Sequence, residues 1–181
     1  SFQLWDIQKS PHIAVVLMIE PDHLNVHKDM DDYVKAKANI RAHQLDDDIC
    51  IYHPTNSLSA NIAHSTEQGT AMRYGISEDG AVYESQGYFC QREHNICSTD
   101  ALQLLGRHNI ENACAAISAV KSYQIDDVAI AAKELRRGIQ EVLLARARGE
   151  GFAIVDSFSR IVRLGEGLAR NGYLLEAAID R

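Results

Sequence analysis

The apolar segment from Ile13 to Glu20 constrains the fold more than any other part of the sequence. It reads IAVVLMIE, is rich in β-branched residues, and ends directly before Pro21. A continuous apolar run without polar alternation is typical of a central strand buried on both faces of a parallel sheet. The run is also far shorter than the roughly 20 residues that a membrane-spanning helix needs. The segment therefore predicts an α/β fold.

Helical and strand patterns alternate after this segment. Apolar positions at helical spacing predict a helix from about Asp29 to His43, and ICIY predicts a strand over Ile49–Tyr52. A short helix is expected within TNSLSANIAHS, opened by a threonine, asparagine or serine cap. The order βαβα implies a mostly parallel sheet that is flanked by helices and joined by right-handed crossovers.

The pattern changes between Thr70 and Cys97, where glycines separate the short segments AMRYGIS, AVYES and GYFCQRE. These predict a small antiparallel addition on the edge of the parallel sheet. Helical spacing returns at Asn109, and a second helix is expected to end near Gly138. We therefore expect one domain over residues 1–138 and an irregular tail over 139–181. The helix that starts near Asn109 gathers on one face Ile110, Ala113, Cys114, Ile117 and Val120.

Composition restricts the kinds of ligand. The 181 residues carry a formal net charge of −7, which argues against a general binder of nucleic acid or of anionic membranes. Its ligands should be small molecules, or molecules whose charge a metal ion neutralises. Four cysteines without CxxC spacing indicate reduced thiols, and the lack of a basic stretch followed by an apolar one at the start predicts a cytoplasmic protein without membrane insertion.

Two lysines in the segment DDYVKAKANIRAH differ in their predicted surroundings. At 100° per residue Lys37 lies in the middle of an apolar helical stripe and Lys35 lies opposite. One interpretation is that Lys37 extends its amine along the apolar surface to water. The other is that burial favours the neutral amine, which is a nucleophile able to capture carbon dioxide as an anionic carbamate that can hold a metal. The stripe consists of Met30, Tyr33, Val34 and Ile40.

Polar residues follow the first predicted strand at the edge where ligands bind in open α/β sheets. Asp22 and His23 lie there, within IEPDHLNVH. His23 is a candidate metal ligand or a hydrogen-bonded loop histidine. His27 is predicted to be a surface residue or a cap, because Pro21 makes a two-histidine metal pair on a helix a weak interpretation.

The segment GRHNIENACAAISAV places Asn109 and Asn112 three residues apart at the start of a predicted helix. Gly106 frees the backbone just before it. Asn109 fits the role of an N-terminal cap. Asn112 lies inside the first turn, where its amide can donate and accept hydrogen bonds at once and so read the edge of a nucleotide base.

Four segments in this order, SFQL, EPDHLNVH, DDYVKAKANI and GRHNIENACAA, resemble the central ATP-binding domain of the Mur ligases. The resemblance is strongest to the MurD type, which adds D-glutamate, and it spans roughly residues 1–138. SFQL discriminates between types, because the ligases that add other amino acids carry different residues there. The resemblance implies an α/β domain that is incomplete at its N-terminal side.

The resemblance also implies roles for individual residues. His23 corresponds to a magnesium-binding histidine, and Lys37 to a carbamylated lysine that takes part in catalysis and helps to hold Mg²⁺. Asn109 and Asn112 correspond to the asparagines of an HNxxN motif that contact the nucleotide. Asp156, within IVDSFSR, resembles an aspartate on the nucleotide side, in a segment that opens the third domain of the family.

The family's reaction implies the substrates and cofactors. ATP phosphorylates the carboxylate of UDP-N-acetylmuramoyl-L-alanine, and the amine of D-glutamate then displaces phosphate, a step of peptidoglycan synthesis. Ser1 and Gln3 of the SFQL motif are the implied substrate-binding residues. ATP and Mg²⁺ are the implied cofactors, and no nucleic acid takes part.

The sequence departs from the family on its N-terminal side. It holds no GxxxxGK[ST] phosphate loop, which in the family precedes SFQL together with a metal-binding glutamate. We therefore expect this chain to lack ligase activity by itself. Two other functions stay open: a related amide ligase, of the cyanophycin or folylpolyglutamate kind, and a domain that binds a partner or a nucleotide sugar without turnover.

Overall fold

A computed structural model describes residues 4–21, 27–102 and 106–124 of the chain. The chain divides into two compact units, one up to Tyr74 and the other from Gly75 onward. Each unit is described by itself below. The predicted domain boundary near Gly138 lies outside the described residues, as do the predicted helix from Asp126 to Arg137 and the tail.

The first unit is a parallel three-stranded sheet in the order β1-β2-β3, formed by Ile13–Val16, Ile49–Tyr52 and Thr70–Arg73. Ile13 pairs with Ile49, and Ile49 pairs with Thr70. Helix α1 (Met30–Ala42) follows β1, and helix α2 (Ser57–Ala63) follows β2. The predicted βαβα order and the parallel sheet are confirmed.

Strand β1 is shorter than the apolar run that predicted it. The ladder ends at Val16, whose carbonyl accepts from the amide of His53 at 3.1 Å. Beyond it the carbonyl of Leu17 accepts from Ser59 Oγ at 2.7 Å, and that of Ile19 from Asn56 Nδ2 at 3.0 Å. The continuation of β1 is therefore bonded to side chains of α2 instead of to a neighbouring strand.

Side chains cap both helices of this unit, and the asparagine cap of α2 was among those predicted. The Asp29 carboxylate accepts from the amide of Asp32 at 2.9 Å and begins α1, while Asn56 Oδ1 accepts from the amide of Ser59 and begins α2. The apolar stripe of α1 packs against a core formed by residues of the β1 segment, β2, α1 and α2. The fully packed members of this core are Ala14, Val16, Ile19, Tyr33, Cys50, Tyr52, Ile62 and Ala63.

A tight approach of backbone to backbone precedes β3. Gly69 adopts a φ of +72°, and a Cβ atom at this position would lie 2.6 Å from the carbonyl oxygen of Asp48 and 2.9 Å from that of Leu45. The amide of Thr70 donates to the same Asp48 carbonyl at 2.8 Å. Only a glycine fits here without displacing backbone atoms, since a left-handed φ and the lack of space act together.

The second unit contains a separate antiparallel sheet in the order β4-β5-β6, formed by Val82–Ser85, Tyr88–Gln91 and His94–Ser98. A 3₁₀ turn at Thr99–Ala101 and helix α3 (Arg107–Ser122) follow. Two expectations were wrong in detail. The stretch at Thr70–Arg73 pairs in parallel with β2, and the antiparallel strands form a sheet of their own instead of extending the parallel one. Short strands carry no local mark of their partners, so their pairing is decided by the tertiary structure.

Helix α3 packs on β4 of the same unit. Its predicted apolar face is confirmed, since Ala113, Cys114, Ile117 and Val120 are buried and Ile110 is half-buried. Ser118 Oγ accepts from the amide of Val82 at 2.8 Å, so the helix also satisfies the first amide of β4. A parallel sheet flanked by helices, with a small antiparallel sheet beside it in the chain, confirms the α/β prediction. Within the three described ranges no helix has the length and apolarity to cross a membrane.

Candidate functional site

Helix α1 directs its two lysines to different surroundings, as its periodicity predicts. Lys35 is exposed, and Lys37 is half-buried on the face that carries Tyr33. The Nζ atom of Lys37 lies 4.7 Å from the centroid of the Tyr33 ring. Residues four apart on a helix are neighbours, so the helix places these two side chains next to each other. A cation over a ring face is attracted to the ring by about 0.5–1 kcal/mol when exposed and by about 2 kcal/mol when desolvated.

His27 is buried, and Asp29 is the cap of α1, so the prediction of a surface residue or a cap is wrong. Only 2% of the residue is exposed. Its Nδ1 atom lies 3.0 Å from Oδ2 of Asp32 in the first turn of α1. Its ring meets the Tyr33 ring edge to face at a centroid distance of 5.2 Å and lies 5.0 Å from the ring of Trp5. The buried imidazole thus contacts one carboxylate and two aromatic rings.

The hydrogen bond with His27 favours the charged form of Asp32. This hydrogen bond is the largest influence that holds the pKa of the Asp32 carboxyl below its ordinary value. Partial desolvation acts in the opposite direction. The backbone amide of Lys28 and the positive charge of Lys35 also lower the pKa. Asp32 is therefore a carboxylate at neutral pH. A carboxylate only accepts hydrogen bonds, so the Nδ1 atom of His27 carries the proton and donates it to Asp32.

The end of the SFQL segment is fastened to the same helix. Asn39 Nδ2 donates to the carbonyl of Leu4 at 2.8 Å and to that of Trp5 at 3.0 Å. Leu4 is the last residue of SFQL, and Asn39 lies two residues beyond Lys37 on α1. The structure thus brings the end of one predicted motif beside the helix that carries another. Ser1 and Gln3 lie outside the described residues.

Asn109 and Asn112 lie on α3, in the second unit. The expectation that Asn109 caps the helix is wrong, because the helix begins two residues earlier, at Arg107, and Asn109 is already its third residue. Gly106 occupies the cap position and provides no side-chain hydrogen bond. Its φ of +105° uses the backbone freedom that was predicted for this glycine. Asn109 is buried and Asn112 half-buried.

The metal-binding prediction depends on residues that the structure describes only in part. Among the described residues, histidines, cysteines and carboxylates form no group of three that could hold a metal ion. His23 and Asp156 lie outside those residues. Lys37 qualifies as a ligand only after carbamylation, because an ammonium repels a cation. A carbamate oxygen with one imidazole suits Mg²⁺, which prefers oxygen ligands, so the donor chemistry of Lys37 and His23 fits this ion.

Sequence reasoning missed His27 and Asp32. The segment HKDMDD contains the only available signal: a histidine two residues before a helix cap, followed by a carboxylate in the first turn. Nothing in that spacing fixes the side to which the chain folds before the helix. The imidazole contacts the rings of Tyr33 and Trp5, and Trp5 lies more than 20 residues earlier in the sequence.

Comparison with known proteins gives a consistent result. The family model described as "Mur ligase middle domain" matches residues 3–120. A protein of Clostridium tetani named UDP-N-acetylmuramoylalanine--D-glutamate ligase is 30% identical over 185 residues, which cover 92% of this chain and 40% of that protein. Proteins of the same name from Clostridium acetobutylicum and Clostridium kluyveri are 36% and 34% identical over 66% and 72% of this chain. The chain spans 27% and 28% of their lengths, so it matches less than half of each relative.

Proposed function

The chain belongs to the Mur ligase family through its middle domain, and on that premise we propose that it serves the ATP-dependent ligation of D-glutamate to UDP-N-acetylmuramoyl-L-alanine in peptidoglycan synthesis. The names of the relatives and the SFQL segment support the D-glutamate-adding type. We further propose that the protein acts in the cytoplasm, where it would contribute to building the cell wall and so to cell shape and division.

The proposed reaction has two steps. The terminal alanine carboxylate attacks the γ-phosphorus of ATP, which releases ADP and leaves an acyl phosphate. The amine of D-glutamate then attacks the acyl carbon, loses a proton, and expels phosphate as the amide forms. Neither step requires a covalent bond to the protein, so catalysis consists of positioning and of electrostatic stabilisation of crowded oxygens.

One observation carries the proposal: the structure turns Lys37 inward on α1 beside a buried tyrosine, while Lys35 faces water. In its neutral form the Lys37 amine attacks the carbon of carbon dioxide and loses a proton, which leaves an anionic carbamate.

The proposed carbamate of Lys37 and the imidazole of His23 would together hold Mg²⁺. When bound, this ion supplies positive charge that neutralises phosphate and carboxylate oxygens. Asn109, Asn112 and Asp156 are proposed to contact the nucleotide. The half-buried amide of Asn112 is suited to this, because it donates and accepts hydrogen bonds.

Ser1 and Gln3 are proposed to contact the substrate. The bonds from Asn39 to Leu4 and Trp5 support this assignment, because they tie the end of SFQL to the helix of Lys37. Hydroxyl and amide groups at Ser1 and Gln3 match the polar character of a nucleotide-sugar peptide and of an amino acid.

The 181 residues contain no GxxxxGK[ST] sequence to surround the β- and γ-phosphates of ATP. We therefore expect the chain of 181 residues to show no ligase turnover by itself. The activity proposed here belongs to the product of the gene that carries this sequence, so that product is the one to assay.

The test measures phosphate released by the native gene product with ATP, Mg²⁺ and UDP-N-acetylmuramoyl-L-alanine. Release that depends on D-glutamate, is abolished by Lys37→Ala, and survives Lys35→Ala is the expected result. Lys35 is a matched control, because it lies two residues away on the same helix but faces water. Release that depends on another amino acid would instead favour a related amide ligase. Binding of the nucleotide sugar without turnover would favour a non-catalytic domain.

A further inference from the structure

Three rings form a continuous row that ends at the amine of Lys37. Trp5 and His27 lie 5.0 Å apart between ring centroids with an interplanar angle of 34°, and His27 and Tyr33 lie 5.2 Å apart at 64°. The Nζ atom of Lys37 lies 4.7 Å from the next centroid, that of Tyr33. We call these three residues the Trp5–His27–Tyr33 row. His27 is its middle member and contacts both neighbours.

His27 is held from several directions. Its side chain is completely buried, and its Nδ1 atom donates to Oδ2 of Asp32 at 3.0 Å. Asp32 is itself fixed, because its Oδ2 accepts from the amide of Lys28 at 3.3 Å and its own amide donates to the cap residue Asp29 at 2.9 Å. A ring that is hydrogen-bonded at one nitrogen and packed between two other rings has a single orientation.

The orientation of the Tyr33 ring depends on this contact. The helix places Lys37 next to Tyr33, since the two residues are four apart. It does not determine which way the ring plane turns, because the outer torsion of an aromatic side chain is broad. The edge-to-face contact with His27 supplies that restraint and presents the face of the ring to the lysine.

We propose that His27 is a positioning residue for Lys37: through Asp32 on one side and Tyr33 on the other, it fixes the ring against which the lysine amine is placed. The purpose of that placement rests on the proposed function, in which Lys37 reacts with carbon dioxide. The geometric part of the proposal stands on the ring contacts and the hydrogen bond alone. His27 does not itself touch the reacting groups in this scheme.

The test follows the Lys37 side chain by NMR in protein labelled with ¹³C-lysine, in buffer free of carbon dioxide. Protons beside the amine lie over the Tyr33 face, so they should resonate upfield of an ordinary lysine, and Lys37→Arg identifies the signal. His27→Phe keeps a ring of similar size in the row but removes the bond to Asp32. We expect most of the upfield shift to disappear in the folded variant.

Asp32→Ala is the second variant, because it removes the acceptor from a partly exposed position on the first turn. It provides the same readout if His27→Phe does not fold. The matched control is His64→Phe: the His64 ring also meets a tyrosine edge to face, at 5.3 Å from Tyr52, and its Nε2 atom lies 3.1 Å from the Tyr52 hydroxyl. That substitution should leave the Lys37 signal in place.

A Lys37 signal that keeps its position in folded His27→Phe, or in Asp32→Ala where the first variant does not fold, overturns the proposal. A merely structural role for His27 would lower stability without moving this signal in the folded molecules. Failure of the proposed function has a different signature, namely the absence of D-glutamate-dependent phosphate release by the native gene product. The two measurements are independent, so either inference is able to fail alone.

Discussion

Substitution of Gly69 by alanine is expected to destabilise the first unit strongly. The added Cβ would lie 2.6 Å from the carbonyl oxygen of Asp48, and 2.9 Å from both the carbonyl oxygen of Leu45 and Nη1 of Arg41. Two of these three atoms belong to the backbone and are unable to rotate away. Gly75 provides the matched control: its φ is +77°, close to the +72° of Gly69, but no heavy atom in the described part of the chain lies within 4 Å of its Cβ position.

The two glycines separate the cost of conformation from the cost of crowding. A left-handed φ costs an alanine about 1–2 kcal/mol. Forcing an extra methyl group into a filled space costs about 1–3 kcal/mol more. We therefore expect a loss of about 2–5 kcal/mol for Gly69→Ala and of about 1–2 kcal/mol for Gly75→Ala.

Buried cysteines provide the assay. Cys50 lies on β2 with no exposed surface, and burial raises the pKa of its thiol to about 11, so alkylation requires the unit to open. A loss of about 2–5 kcal/mol should speed its labelling roughly 30- to 5,000-fold, because each 1.4 kcal/mol is a factor of ten. Cys114 reports on the second unit in the same way, and for Gly75→Ala its labelling should rise by roughly 5- to 30-fold. Mass spectrometry of the individual peptides measures both rates.

The reasoning is refuted if Gly69→Ala leaves the labelling of Cys50 unchanged. It is also refuted if the two alanine variants accelerate their reporters to the same extent. In either case a Cβ atom at position 69 would not destabilise the fold as much as its distance of 2.6 Å from the carbonyl oxygen of Asp48 implies.

Three further predictions concern the nucleotide side, the second unit and pH. In the native gene product, Asn112→Ala should raise the KM for ATP roughly 3- to 10-fold, because it removes one hydrogen bond of about 0.5–1.5 kcal/mol. The neighbouring substitution Glu111→Ala is the control and should leave the KM for ATP unchanged. Ser118→Ala leaves the first amide of β4 without its buried acceptor and should lower the free energy of unfolding by about 1–3 kcal/mol, measured by denaturation. The control Ser122→Ala removes only a bond to a helix carbonyl and should lower it by less. The hydrogen bond that lowers the pKa of Asp32 stabilises the fold above pH 3.8, the ordinary pKa of the carboxyl, and this stabilisation is lost as the pH falls through the lower pKa of the folded state. Asp32→Asn should therefore make the free energy of unfolding less dependent on pH in the acid range. An unchanged dependence contradicts this prediction.

Local patterns in the sequence were sufficient for several features of the fold. The approximate extent of α1 follows from a 3.6-residue period, and the exposure of Lys35 and the inward direction of Lys37 follow from the same period. The proximity of Lys37 to Tyr33, though not the orientation of the ring, is a consequence of their spacing of four residues. Each of these features depends on atoms within about one helical turn of each other, which is the range that a sequence pattern encodes.

Contacts between distant residues decided the rest. Strand β1 ends at Val16 because side chains from α2 take the carbonyls beyond it, one of them from Ser59 to Leu17 across 42 residues of sequence. The Thr70–Arg73 segment became a parallel strand because β2 offered a free edge in the folded sheet, and its own residues do not specify that partner.

His27 shows the same division at the candidate site. Its spacing from Asp32 is visible in the sequence, but its contact with Trp5 is not, because Asn39 holds that residue on α1 across more than 30 residues of chain. The sequence alone therefore determined which residue types are available near Lys37 and which face of the helix they occupy. Only the tertiary structure decided that His27 is enclosed and turned against Tyr33, because enclosure is a property of surfaces that meet after folding.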